Sequence, residues 1–168
     1  MKKKCCFTGH RPKALPFGYN ENEAGCIKLK ELLYENIEKL ITKNGVTHFI
    51  SGMAIGVDIY AAEAVLKLKE KYPQITLECA IPCKTQTNKW GKNWRERYSN
   101  ILSRSDKETL LQMHYTTDCM MKRNEYMVNR SDVVIAVWNG TKSGTGKTVN
   151  YAIDNGKKVI IIDPNRLR

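Results

Sequence analysis

Val133-Val134-Ile135-Ala136-Val137-Trp138-Asn139-Gly140-Thr141-Lys142-Ser143-Gly144-Thr145 is an apolar run that breaks into glycine and then into helix-compatible sequence. A strand buried on both faces needs such an unbroken apolar run, and the hydroxyls and glycines after it mark a tight turn and a helix start. The same events recur where Phe49-Ile50-Ser51 meets Gly52-Met53-Ala54-Ile55-Gly56-Val57-Asp58. They begin again where Cys5-Cys6-Phe7-Thr8 meets Gly9-His10-Arg11-Pro12. In an open parallel sheet these turns gather at the carboxyl ends of the strands. Bare N–H groups and a positive helix end there suit phosphate or carboxylate. The three turns together predict a nucleotide-type pocket.

Working outward, strands are expected at 4–8, 47–51, 76–81, 109–113, 133–137 and 159–162. Helices are expected at about 21–44, 57–71, 94–104, 120–130 and 147–155. The first carries Leu29, Leu32, Leu33, Ile37, Leu40 and Ile41 at three- and four-residue steps and ends at Asn44-Gly45. Tyr72-Pro73 stops the second, Pro82 closes the third strand, and Asp163-Pro164 follows the last. Strands alternating with helices, and runs such as Val159-Ile160-Ile161-Ile162, predict an α/β, Rossmann-like fold: a mostly parallel sheet with helices on both faces. The expectation is a single domain over 1–168, without repeat or linker.

Composition narrows the function classes. No apolar run reaches membrane-spanning length, and Met1-Lys2-Lys3-Lys4 turns polar too early for a secretory leader, so a cytoplasmic protein without a membrane partner is expected. Cys5, Cys6, Cys26, Cys79, Cys83 and Cys119 then read as reduced, buried thiols. Cys79-x3-Cys83 lacks the second pair or histidine that a zinc site needs, so no metal is expected. The formal charge of +11 raises nucleic-acid binding as a question. Much of it lies on mixed-charge helix faces, where Lys28, Lys30, Lys39 and Lys43 alternate with Glu31, Glu35 and Glu38. Segment 84–104 differs: Lys84, Lys89, Lys92, Arg95, Arg97 and Arg104 stand against Glu96, with Trp90, Trp94 and Tyr98 between them. Such a stretch suits gripping a single strand, walling a small-molecule pocket, or packing a helix on the sheet.

The segment 142–148 is not a Walker A loop, because Thr141 stands where that motif requires its first glycine. The amides of Ser143, Gly144 and Thr145 still suit an anion, or a plain helix cap. Gly52-x3-Gly56-x-Asp58 is not the dinucleotide fingerprint; Asp58 there suits a helix cap or a ribose hydroxyl. Arg11 is a candidate anion clamp and His10 a candidate donor or stacking group.

Three further strings carry a family resemblance. Thr8-Gly9-His10-Arg11-Pro12 with Leu15-Pro16-Phe17-Gly18-Tyr19-Asn20, Ser51 to Asp58, and Arg123-Asn124-Glu125-Tyr126-Met127-Val128 resemble the YpsA-like proteins. Pro82, Gln86, Trp90, Ser131-Asp132 and Ser143-Gly144-Thr145 extend the likeness along nearly the whole chain. That family belongs to the SLOG superfamily, with the DNA-processing protein DprA and the LOG hydrolases. The resemblance implies a Rossmann-like fold that binds a nucleotide, NAD or an ADP-ribose-like ligand in its glycine turns. It places Thr8, Gly9 and Arg11 on one side, Gly52, Met53, Gly56 and Asp58 on the floor, and Ser143, Gly144 and Thr145 at the phosphate. Arg123 and Asn124 approach from the helix before strand five, and Trp90 either covers a base or ribose or packs in the core or a lid. The LOG pattern also has a glutamate that cleaves an N-glycosidic bond; its place here is Thr148, so no catalytic residue is assigned, with Glu125 and Asp58 as substitutes. The expected partner is a small nucleotide-type ligand. Base-releasing hydrolysis, DprA-like single-stranded nucleic-acid binding and a homo-oligomer stand as alternatives.

Overall fold

The computed structural model describes residues 2–167. Its six strands are β1 (Lys3–Gly9), β2 (Val46–Ser51), β3 (Thr76–Ile81), β4 (Lys107–Leu110), β5 (Val133–Val137) and β6 (Lys158–Ile162). They form one sheet in the order β4-β3-β2-β1-β5-β6, with every neighbouring pair parallel. The helices are α1 (Ala24–Asn44), α2 (Val57–Lys71), α3 (Lys92–Arg104), α4 (Cys119–Asn129) and α5 (Gly144–Asp154). The α/β, Rossmann-like expectation is met. The chain builds outward from β1 to β4, then crosses back to lay β5 on the other side of β1. This reversal opens a crevice at the carboxyl ends of β1 and β5.

The pleat sends alternate residues to opposite faces. Cys5, Phe7, Phe49, Leu77 and Ile135 meet the apolar stripes of α1 and α2 and Ile101 of α3. Cys6, Ile50, Ala80 and Val134 meet Met127 and Val128 of α4 and Ala152 of α5. All six cysteines are buried. No helix among the described residues is long and apolar enough to cross a membrane.

The glycine after α1 ends it as expected, with Gly45 left-handed at φ 69° and its N–H on the Leu40 carbonyl. Helix α5, by contrast, starts three residues before the predicted 147. Ser143 supplies the reason: its Oγ accepts the Gly146 N–H at 3.1 Å and caps the first turn. Ser143→Ala is expected to cost about 1 kcal/mol, read as a melting temperature roughly 2 to 4 °C lower.

Strand β4 lies at Lys107–Leu110, not at the predicted 109–113. Its register pairs Glu78 with Lys107 and Ile81 with Leu110, so the ladder ends where β3 ends. Strand β6 is likewise an edge, and Ile161 in its apolar run is 50% exposed, contrary to coverage on both faces.

Candidate functional site

The crevice is built from close backbone approaches. A Cβ on Gly9 would stand 2.6 Å from the Val57 Cβ, so the start of α2 rests against the end of β1. Gly56, at φ 99°, faces Pro12, whose Cδ would lie 3.0 Å from a Cβ. Between them the β2–α2 turn is tied by polar groups. Ser51 Oγ accepts the Met53 N–H at 3.2 Å and donates to the Asp58 carbonyl at 2.8 Å. Asp58 Oδ2 accepts the Ala54 N–H at 3.2 Å. These ties hold Met53, a non-glycine residue, left-handed at φ 60°.

Arg123 of α4 reaches this turn from the opposite face of the sheet. Its side chain is buried, with Nη1 donating to the Gly52 carbonyl and Nε donating to Asn124 Oδ1 at 2.9 Å. Nη2 points at Met120 Sδ, 3.9 Å away. None of these partners is a carboxylate. Burial lowers the Arg123 pKa, against the attraction of Asp58, and Arg11 lowers it further. Burial likewise raises Asp58, against Arg123, the Ala54 N–H and Arg11. Two buried opposite charges thus act on each other while each bonds to backbone. Arg11, exposed, makes no side-chain hydrogen bond or ion pair among the described residues.

The β5 side joins through His10. Its N–H donates to the Val137 carbonyl at 3.2 Å, and its Nε2 lies 2.9 Å from Asn139 Oδ1 and 3.1 Å from the Asn139 nitrogen. Asn139 Oδ1 also accepts the Thr141 N–H and hydroxyl, at 3.1 and 2.6 Å. His10 is therefore a buried strut between the β1 and β5 turns rather than a free donor. Beyond it opens a cleft of about 600 Å³ lined by Trp138, Lys142, Ser143, Gly144, Lys147 and Asn150, among others. Thr8 and Thr145, both buried, make no side-chain hydrogen bond among the described residues.

Of the residues singled out from sequence, Thr8, Gly9, Arg11, Gly52, Met53, Gly56, Asp58, Arg123 and Asn124 belong to the β1–β2 part. Ser143, Gly144 and Thr145 belong to the α5 start, and His10 joins the two. Trp90 lies edge-on to Tyr98 of α3 at 5.4 Å. Sequence reasoning missed Asn139 as the strut's partner and Trp138 and Lys142 as cleft walls, whereas Lys147, which the sequence offers as a phosphate contact, lines the same cleft. Their signal was position: they follow the same apolar run directly. It also gave Gln86 no place in the site, although its Nε2 donates to the Gly52 carbonyl at 3.3 Å. Thr148 is buried with its hydroxyl on the Gly144 carbonyl at 3.0 Å. No group of three His, Cys, Asp or Glu among the described residues is placed to hold a metal.

The basic segment is partly committed elsewhere. Arg97 makes a fork to Glu21 at 2.7 and 3.0 Å and pairs with Glu63 at 2.6 Å, lying 4.6 Å over the Trp94 ring. Trp94 and Tyr98 pack against the core. Lys84, Lys89 and Arg95 make no ion pair among the described residues.

Parallel strands, a β1/β5 switch point and glycine turns at its mouth define a Rossmann-like protein with its crevice at the strand ends. The chain belongs to the YspA SLOG family (YpsA), whose model matches residues 5–165. It is 36% identical over 138 residues to the SPbeta prophage-derived protein YoqJ of Bacillus subtilis, covering 75% of this chain and 81% of that protein. It is 28% identical over 158 residues to a UPF0398 protein of Halalkalibacterium halodurans, covering 93% and 81%. Among solved structures, it is similar to DNA processing protein A of Helicobacter pylori, for which a single-stranded DNA binding mode is described. That match has TM-score 0.64 and 22% identity, over 96% of this chain and 65% of that one. The corresponding protein of Streptococcus pneumoniae gives TM-score 0.64 at 16% identity, over 96% and 50%. This chain therefore spans about half to two thirds of those two proteins, and the likeness is one of fold.

Proposed function

We propose that this protein, in the cytoplasm, binds a nucleotide or nucleotide-derived ligand such as NAD or an ADP-ribose-like molecule across the β1/β5 crevice. The observation that carries the reading is the Arg123 guanidinium, 3% exposed and bonded to a backbone carbonyl, an amide and a thioether. Asp58 is its nearby opposite charge but bonds to the Ala54 N–H instead, and a buried cation without a carboxylate bonded to it favours an anion brought by a ligand. Arg11 beside it and the α5 start supply further anion contacts, and Asp58 offers a carboxylate oxygen to a ribose hydroxyl. Thr148 stands where the LOG pattern has its glutamate, and neither Glu125 nor Asp58 is assigned its role, so the proposal stops at binding.

Thermal unfolding with AMP, ADP, NAD and ADP-ribose tests this. A ligand at a hundred times its Kd stabilises the folded state by about 2.7 kcal/mol, roughly 5 to 10 °C for a chain of this size. No rise with any of them would overturn the proposal. Gly52→Ala is the site control, because its methyl would lie 2.7 Å from Arg123 Cζ and Nη1. The guanidinium must swing away, and affinity is expected to fall at least tenfold while the fold persists.

The second reading is single-stranded nucleic acid, favoured by the fold shared with DNA processing protein A and by Lys84, Lys89 and Arg95, which make no ion pair among the described residues. It predicts stabilisation by a short oligonucleotide with affinity falling steeply with salt. The inward packing of Trp94 and Tyr98 removes two of the rings such binding would stack upon.

A further inference from the structure

A buried polar network lies one helical turn from Arg123. Glu78 of β3 is 2% exposed, yet both its oxygens are bonded. Oε1 lies 2.8 Å from His48 Nε2 on β2, while Oε2 accepts the Thr109 hydroxyl of β4 at 2.8 Å and the Tyr126 hydroxyl of α4 at 2.7 Å. His48 Nδ1 in turn lies 2.7 Å from the Thr76 hydroxyl. Three strands are thus joined at one carboxylate, and Tyr126 alone among these donors comes from the helix layer.

We propose that Tyr126, through Glu78, is a positioning residue that sets where the Arg123 guanidinium lies over Gly52. Residues three apart on a helix share a face, so Arg123 and Tyr126 tie α4 to the sheet at two points a turn apart. Arg123 by itself is a poor fixed point: it ends a long side chain on a single carbonyl of a turn. Tyr126 has two bonds of rotation, its hydroxyl meets a carboxylate that two strands also hold, and the Arg130 guanidinium covers its ring at 3.9 Å. The tolerance at Gly52 is small, since a guanidinium packed within 2.7 Å of a virtual Cβ leaves no room for α4 to slide toward the turn. The inference rests on the crevice reading only for its consequence in ligand binding.

The test follows the Arg123 Nε–H by NMR, without ligand. In Tyr126→Phe its resonance is expected to move and its exchange with solvent to accelerate at least tenfold, with the rest of the spectrum retained. Thr109→Val removes the other hydroxyl from the same carboxylate oxygen and is expected to leave the Arg123 signal in place. An unmoved Arg123 signal in Tyr126→Phe, or an equal change in Thr109→Val, would overturn the proposal. ADP-ribose is the probe for the consequence: its affinity is expected to fall at least threefold in Tyr126→Phe and to hold in Thr109→Val. If ADP-ribose and the other nucleotides leave the native protein unshifted, the crevice reading fails, and the NMR result decides the positioning claim separately.

Discussion

Alanine in place of Gly9 is expected to lower the melting temperature by roughly 6 to 12 °C, the effect of about 3 kcal/mol of overpacking. The added methyl would stand 2.6 Å from Val57 Cβ and Cγ1 and 2.8 Å from Cγ2. Val57 is the first residue of α2, and its Cβ moves only with the helix backbone. Gly9 itself pairs with Val137 at the centre of the sheet, so it cannot yield either. Relief therefore means lifting α2 off β1 at the mouth of the crevice. Gly144→Ala is the comparison, since a Cβ there meets nothing within 4 Å; its melting temperature is expected to stay within a few degrees. Equal behaviour of the two variants in thermal unfolding would contradict the close seat of α2 on β1.

Glu78→Ala is expected to cost about 3 to 5 kcal/mol, because removing one member of a buried charged network leaves its partners unsatisfied. Its hydrogen bonds to His48, Tyr126 and Thr109 overcome the cost of burial and hold the Glu78 pKa at about 2, against 4.5 for the free side chain. The sign follows from the order of the two values. With the folded-state pKa the lower, the carboxylate contributes its full stability above about pH 4.5 and loses it as pH falls toward 2. The difference corresponds to roughly 3 kcal/mol. Glu21 and Asp106 are also held low, by Arg97 with Lys30 and by Lys69 with the Leu77 N–H, and weaken the fold in acid with the same sign. Asp58, raised by burial, acts in the opposite sense. Since these three persist in the variant, the separation between native and Glu78→Ala unfolding curves is expected to shrink below pH 4.5. A separation constant down to pH 2 would rule out the ionised carboxylate as its source.

How far the sequence alone reaches depends on whether a feature is local. The bounds of α2, β3 and β5 agree with the readings at 57–71, 76–81 and 133–137, because apolar runs and their proline or glycine stops act within a few residues. Strand β4, expected at 109–113, was placed two to three residues late for the converse reason. Lys107-Glu108-Thr109-Leu110 carries little apolar signal, and its strand state comes from the β3 backbone beside it. The same division runs through the site. Gly9, Gly52 and Asp58 are legible as turn residues, but their partners Val57, Arg123 and the Ala54 N–H are not all neighbours in the chain.

The alternation of strand, glycine turn and helix was therefore decided by the sequence itself, and with it the fold class and the end of the sheet where the glycine turns gather. Only the tertiary structure decided the strand order, which brings β5 against β1 and lets His10 reach Asn139. It decided equally that Arg123 lies against Gly52, that Arg97 belongs to Glu21 and Glu63, and that Glu78 gathers His48, Thr109 and Tyr126. Propensity and periodicity act over a few residues, whereas these pairings join positions 30 to 129 residues apart, from His48–Glu78 to His10–Asn139. Such contacts exist only once a hydrophobic core has fixed which strand lies beside which, and burial then gives each charge its one set of partners.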